Sequence, residues 1–228
     1  TTVRTNILLI LLDSWNYRAI DSEVTPNLAR FAANAEYYRN HYSGSNGTRT
    51  GVFSLFYSLP GTYWYDVLAT KIRPVFIDHL LASRYRFAVF TSASLISPPF
   101  DQTIFAGVAG IPLRVPGDQA HERDMQITSD WLAFTRERQA RDTAQPFFGF
   151  LFYDAMHAIS HPPGYKGPFP TDWDRAKYER LSHDTDPTPF WNLYRNVAHF
   201  EDSLVGLVLS DLEWRHLLWS GGACGPTR

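Results

Sequence analysis

The sequence predicts an α/β protein: a doubly wound, mainly parallel sheet with helices on both faces. Three observations carry that prediction. "NILLILLDSW" (residues 6–15) is apolar on both faces and runs into an acid, as a central strand covered by helices should. "PFFGFLFYDAMH" (146–157) has the same form and runs into an acid and a histidine. Segments of helical period lie between and after these two, so strands and helices alternate along the chain.

The elements follow in order. After the first strand, "TPNLARFAANA" starts a helix, with Thr25 as N-cap, Pro26 at the first position, and Leu28, Phe31, Ala32 and Ala35 on one face. "EYYRNHYS" (36–43) reads as an extended segment. A helix starts near Thr48 and runs through Val52, Phe53, Leu55 and Phe56. Pro74 opens another, "PVFIDHLLAS", and "YRFAVFTS" (85–92) is a strand. A long amphipathic helix covers about 118–138, with Met125, Ile127, Trp131, Leu132 and Phe134 apolar. From Ser160 to Pro189 there are six prolines and no period, which suits a lid or rim rather than core. The last helix, about 190–214, carries a stripe of Leu193, Val197, Phe200, Leu204 and Leu207/Val208.

Composition narrows the function classes. The 228 residues suffice for one large domain or two small ones. Apolar residues make up 44% and charged residues 19%, ordinary globular usage, while the 15% aromatic share implies a ring-rich interior or an aromatic surface. The net charge of −2 offers no electrostatic footprint for nucleic acid, so none is expected as a partner. The single cysteine, Cys224, excludes an internal disulfide and a cysteine-based zinc site. No apolar run approaches the roughly 18 residues that span a bilayer. The opening "TTVRTN" has no leader-like pattern, which reads as a domain excised from something longer.

Ligands of parallel sheets gather at the carboxyl ends of strands, where Asp13 and the Asp154/His157 pair fall. Two readings fit Asp13. It is a metal-binding carboxylate, or it starts a turn or helix in "DSW". Two also fit Thr48, in "HYSGSNGTRTGVFSLFY" (41–57). It is an N-cap, or it is a hydroxyl placed at a helix start where unpaired N–H groups and the dipole hold a phosphate-like anion. Asn46 and Arg49 flank it as candidate holders of the anion's oxygens. His157 and His161, in "YDAMHAISHPPGY", read as loop side chains directed into a cleft, because Pro162 and Pro163 oppose a helix there; the alternative is two surface histidines. The metal-ester reading requires the hydroxyl of Thr48 and the carboxylate of Asp13 to share a pocket.

Taken together and in order, "NILLILLDSW", "TPNLARFA", "HYSGSNGTRTGVFSLFYSLPGTYW" and "FFGFLFYDAMHAISHPPGY" resemble the sulfatase-like branch of the alkaline phosphatase superfamily, nearest to the periplasmic domain of the inner-membrane YejM/PbgA family. The resemblance runs from about Asn6 to Leu218, and 1–218 is read as a partial sulfatase-like domain. It implies Asp13 as a metal ligand, Thr48 as nucleophile and metal ligand, and His157 as a substrate-side histidine; Asn46, Arg49 and His161 are the substrate-binding candidates read from the residues themselves. It also implies one divalent ion, Mn or Mg, because Ser14 stands where sulfatases proper have a second acid.

The implied biology is a role in lipopolysaccharide and outer-membrane lipid homeostasis at the periplasmic face of the inner membrane. Lipid A or an acidic phospholipid, or an envelope protein, would be the partner, and membrane attachment would come through segments absent from this chain. Residues 219–228, "WSGGACGPTR", depart from the family pattern, which continues with a strand and an Asp-His-Gly metal motif. The expectation is therefore a truncated domain with weak or absent metal binding, little turnover, and a tendency to self-associate. The alternative is a metal-dependent phosphoester hydrolase or transferase with a threonine nucleophile.

Overall fold

The computed structural model describes residues 5–38, 40–141 and 144–218. The chain divides into two compact units: Thr1–Leu11, Tyr38–Val115 and Phe134–Phe152 form the first, and Leu12–Tyr37, Pro116–Ala133 and Tyr153–Arg228 the second. The tail 219–228, set apart in the sequence, lies outside the described residues.

The first unit holds the sheet. Strands β1 (Ile7–Leu12), β2 (Arg86–Thr91) and β3 (Phe147–Tyr153) lie in the order β1-β3-β2. β2 pairs parallel with β3, from Arg86 opposite Phe147 to Thr91 opposite Phe152. The two apolar runs that look alike in sequence differ in placement: β3 is buried at every position, while β1, at an edge, is half-buried throughout. Helices α2 (Thr48–Tyr57), α3 (Trp64–Thr70) and α4 (Val75–Ala82) follow the expected starts near Thr48 and Pro74.

Successive strand residues point to opposite faces. On one face Phe150 meets Phe56 of α2 edge-on at 5.4 Å, and Phe148 meets Phe76 of α4 at 5.5 Å. On the other, Phe147 meets Phe134 at 5.5 Å, near the carboxyl end of α5 (Ala120–Ala140). The sheet thus carries helices on both faces, as predicted. The segment 36–43 does not extend the sheet. Its described residues are turns or irregular and all exposed, because its tyrosines face solvent instead of a strand neighbour.

The second unit is helical. α1 (Pro26–Ala32) packs on α7 (Thr188–Trp214), and the four-residue α6 (Ala155–Ala158) packs there too. The predicted stripe of α7 is buried at Leu193, Val197, Phe200, Leu204 and Val208, whereas Leu207 is exposed. Thr25 stands at the N-cap position of α1, but its hydroxyl donates back to Ala19 O and makes no cap bond. The cap comes from Asp202 instead: Oδ1 accepts from Leu28 N at 2.8 Å and Oδ2 from Asn27 N at 3.0 Å. Gly206 permits this approach, since a Cβ there would lie 2.6 Å from Asn27 Cγ.

The proline-rich excursion 160–189 contains a single 3-10 turn, Tyr178–Arg180, among its residues. It is nonetheless held to α7. Asn196 donates to Phe169 O and accepts from Phe169 N, and Phe169 and Trp173 are buried.

Candidate functional site

In the second unit, Asp13 N donates to Tyr153 O at 3.1 Å, so the residue after β1 and the last residue of β3 are neighbours. Asp13 is therefore positioned by the ends of two strands. Ser14 N donates to Asp13 Oδ1 at 2.8 Å. Ser14 itself adopts φ 54°, a left-handed conformation that a non-glycine residue holds only when its surroundings impose it. The clamp is Tyr194 of α7, whose hydroxyl donates to Ser14 O at 3.0 Å and accepts from Asn16 N at 2.7 Å. Tyr194 is buried and stacked on Trp191 at 5.2 Å. Burial pushes its hydroxyl pKa up to about 12, so it keeps the proton it donates.

His157 sits on α6, a short helix where the prolines had suggested a loop. α6 ends at Ile159, at φ 48°, ahead of Pro162. His157 Nδ1 lies 2.9 Å from Ser14 Oγ and 3.8 Å from Asp13 Oδ2. Two predicted site residues, Asp13 and His157, are thus brought together, with Ser14 between them. His161 falls beyond the helix. Its Nδ1 lies 3.0 Å from Pro162 O, and its ring packs 5.9 Å from Tyr165, whose hydroxyl meets His199 Nδ1 at 2.7 Å.

Acidic groups crowd the interior behind this site. Asp124 accepts from Asp154 N at 3.0 Å and Ala155 N at 2.8 Å, fixing the turn from β3 into α6. Asp154 lies 3.4 Å from Arg123. Its carboxyl pKa is raised, chiefly by burial and further by Asp13, against the opposing pull of His157 and Arg123. Glu201 of α7 is fully buried, and among the described residues neither of its carboxyl oxygens has a hydrogen-bond partner. Burial first, then Asp124, Asp154 and Asp13, pushes its pKa well above the usual carboxylate range.

In the first unit, Thr48 is the first residue of α2, and Gly47 occupies the N-cap position without a side-chain cap bond. The N-cap reading of Thr48 is therefore replaced. The loop before it is tied down locally: Ser43 Oγ donates to Ser45 O and Thr50 Oγ1 to Ser45 Oγ, each at 2.6 Å. Asn46 is exposed in this loop. The Arg49 guanidinium lies 5.7 Å from the Trp64 ring centroid.

A hard divalent ion takes carboxylate oxygen, and Asp13 offers that chemistry. Asp154 already has Arg123 as its counter-charge. Among the described residues, no group of three or more His, Cys, Asp and Glu side chains is arranged to hold a metal ion.

Residues 5–218 match the sulfatase family. The chain belongs to that family. Over 194 residues it is 27% identical to an uncharacterised protein of Haemophilus influenzae, a match covering 84% of this chain and 30% of that protein. Over 127 residues it is 31% identical to the inner membrane protein YejM of Salmonella typhimurium, covering 56% of this chain and 20% of that one. The chain thus spans about a third or less of these relatives' lengths. The lipoteichoic acid synthase LtaP of Listeria monocytogenes superposes with a TM-score of 0.62 at 16% identity, over 93% of this chain and 53% of that one. At that identity the likeness is one of fold, and it agrees with the helix-covered parallel sheet. Among the described residues, no helix is long and apolar enough to cross a membrane.

The sequence marks Ser14 only as a missing second acid, and Tyr194, Arg123, Asp124 and Glu201 are not among its candidate site residues. For Glu201 a signal existed. It stands four residues after Val197 and four before Val205, on the buried face of α7. The clamp of Ser14 by Tyr194 joins residues 180 positions apart and leaves no local trace.

Proposed function

We propose that this sulfatase-family chain is part of an envelope protein that engages phosphoester headgroups in lipopolysaccharide and outer-membrane lipid homeostasis. Taken alone, it binds such groups with little or no turnover. The observation that carries the reading is the Asp13–Ser14–His157 constellation, which places a carboxylate and an exposed imidazole together at the ends of two strands. The likeness to YejM, an inner membrane protein, supports an envelope setting, and the side proposed for the domain is the periplasmic face. The ligand class is lipid A or an acidic phospholipid, and an envelope protein is a further partner. Membrane attachment comes from segments outside this chain.

A second reading is favoured by the start of α2, where Thr48 stands first in a helix whose cap position makes no side-chain bond. In that reading the domain is a metal-dependent phosphoester hydrolase or transferase. Asp13 contributes an oxygen ligand, with Thr48 as a further one, and a bound Mn or Mg ion supplies Lewis acidity when present. Thr48 Oγ1 would form the bond to phosphorus as the bond to the ester oxygen breaks, the threonine hydroxyl would release its proton to solvent, a protonated His157 would give the departing oxygen its proton, and Asn46, Arg49 and His161 would contact the substrate.

Two measurements on the same chain separate the readings. Hydrolysis of a chromogenic phosphomonoester is followed with added manganese, for the chain and its Thr48→Ala variant. Flotation is followed with anionic phospholipid vesicles and with neutral ones. Selective flotation with anionic vesicles and no turnover is the expected result. Turnover that disappears in Thr48→Ala establishes the second reading in place of the first.

A further inference from the structure

We propose that His121 and Ser160 form an acid-sensitive catch: a neutral imidazole on α5 holds the start of the proline-rich segment in place, and protonation of that ring in mild acid releases residues 160–165.

His121 is the second residue of α5 and only 6% exposed, a depth at which an imidazole is held more readily neutral than charged. Its Nδ1 lies 2.7 Å from Ser160 Oγ, and no other hydrogen bond to the ring is formed among the described residues. The serine hydroxyl can donate to the ring or accept from it. Either direction serves a neutral ring, which has a single N–H. An imidazolium has two N–H donors, and Ser160 Oγ can satisfy only one of them.

The charged groups around the ring do not make up the difference. From α5, Glu122 favours the charged form and Arg123 opposes it, and Glu122 Oε2 already accepts from Asp118 N at 2.8 Å and Gln119 N at 3.0 Å. From the segment itself, His161 also opposes it. α7 contributes the uncharged Phe200 ring, 6.5 Å away, while its His199 and Asp202 face Tyr165. Burial is the largest effect and, with His161 and Arg123, outweighs Glu122, so the His121 pKa lies below its ordinary 6.5.

The held segment is anchored at its two ends. Ser160 follows Ile159, where α6 ends at φ 48°, and its N–H donates to Ala155 O at 2.9 Å. Five residues on, the Tyr165 hydroxyl meets His199 Nδ1 at 2.7 Å and its ring meets Phe200 edge-on at 5.6 Å. Between these ends Pro162 and Pro163 have no N–H to give, and Tyr165 N donates to Pro162 O at 3.0 Å, within the segment. A stretch held by a few side-chain contacts can be freed by one local charge without unfolding the unit around it. His161 is the neighbour of Ser160, so the catch also governs where that candidate ligand contact stands.

The direction of the pH effect follows from the two states. Once the segment is open, His121 titrates near its ordinary 6.5; closed, it titrates lower. The open state therefore binds more protons as pH falls below 6.5, and opening grows by up to about tenfold per pH unit until the lower value is reached.

The test is native-state hydrogen exchange followed by NMR on the intact chain at about pH 7.5 and about pH 5.5, with each amide compared with its intrinsic rate at that pH. The amides of Ser160 and Tyr165 should lose protection in acid by up to about tenfold, while those of Leu204 and Val205 in α7 keep theirs. His121→Gln keeps a hydrogen-bonding partner for Ser160 and does not titrate, so its protection at these two positions should not change with pH. Unchanged protection in the wild-type chain overturns the proposal. So does a loss of equal size throughout the second unit, or a loss that persists in His121→Gln and so belongs to His161 or His199. If His121→Gln does not fold, Ser160→Ala decides: with the catch already open, Tyr165 should be poorly protected at both pH values, and a remaining acid-dependent loss overturns the proposal. The readout needs neither turnover nor vesicle binding, so failure of the proposed function and failure of the catch are told apart.

Discussion

In the first unit the deepest side chains are rings and aliphatics: Phe53, Trp64, Ile77, Leu80, Phe148 and Phe150 form one hydrocarbon cluster. In the second unit Asp124, Glu201 and Asp202 lie as deep as Trp131 and Val197. A hydrocarbon core asks only for volume and shape, and its stability is spread over many weak contacts. A carboxylate-bearing interior is tolerated only where each charge or proton has a local justification. Asp202 caps α1, Asp124 holds the turn into α6, and Asp154 meets Arg123. The first unit is built as scaffold. The second carries polar groups that position Asp13, Ser14 and His157.

Removing volume from the hydrocarbon core should produce the largest effect. Phe150 is 1% exposed, with its ring 5.4 Å from Phe56 and 5.9 Å from Phe105. Phe150→Ala should cost about 3–5 kcal/mol, read from the midpoint of urea unfolding. A cost under about 1 kcal/mol would mean that this core is loosely packed, and the contrast with the second unit would fail.

An intermediate effect is expected where a buried acid has a task. Asp202→Ala leaves Asn27 N and Leu28 N at the start of α1 without their acceptor. The expected cost is about 1–3 kcal/mol. Hydrogen exchange should localise it, with the amides of Asn27 and Leu28 losing protection before those of β3. Uniform loss of protection throughout the chain would show that Asp202 supports more than this cap.

How far the sequence could be read follows from the same contrast. β1, β3 and the stripe of α7 are legible because burial on a sheet or helix leaves a period or an apolar run, and residues 7–12, 147–153 and 193–208 carry that signal. The strand-end placement of Asp13 and the start of α2 at Thr48 are legible for the same reason, since the edge of an apolar run marks the end of an element. The polar contacts of the second unit are not. Thr25 carries the sequence signature of a helix cap, yet Asp202, 174 positions from Leu28, does the capping. The aromatic segment 36–43 reads as extended in the sequence, yet its described residues are irregular or turn and exposed. Pairings set by tertiary contact leave no local pattern, so Ser14 is visible in the sequence only as an absent acid.

The smallest effect, and the sharpest distinction between the two interiors, should come from Glu201. Its carboxyl is fully buried, has no hydrogen-bond partner among the described residues, and feels the repulsion of Asp124, Asp154 and Asp13. The folded protein therefore holds a proton there that the unfolded chain releases above its ordinary pKa of 4.5. More protons bound in the folded state means that stability falls as pH rises, from 4.5 up to the raised value. The slope is at most about 1.4 kcal/mol per pH unit for one group. Glu201→Gln keeps the shape, stays neutral throughout, and presents N–H donors to the neighbouring carboxylates. It should flatten the decline, so that the variant gains on the parent as pH rises from 4.5 toward 7, with little difference near pH 4.5. Thermal or urea unfolding at a series of pH values measures both curves. Parallel curves would mean that Glu201 does not hold that proton, and the second unit's interior would then be as indifferent to pH as the hydrocarbon core of the first.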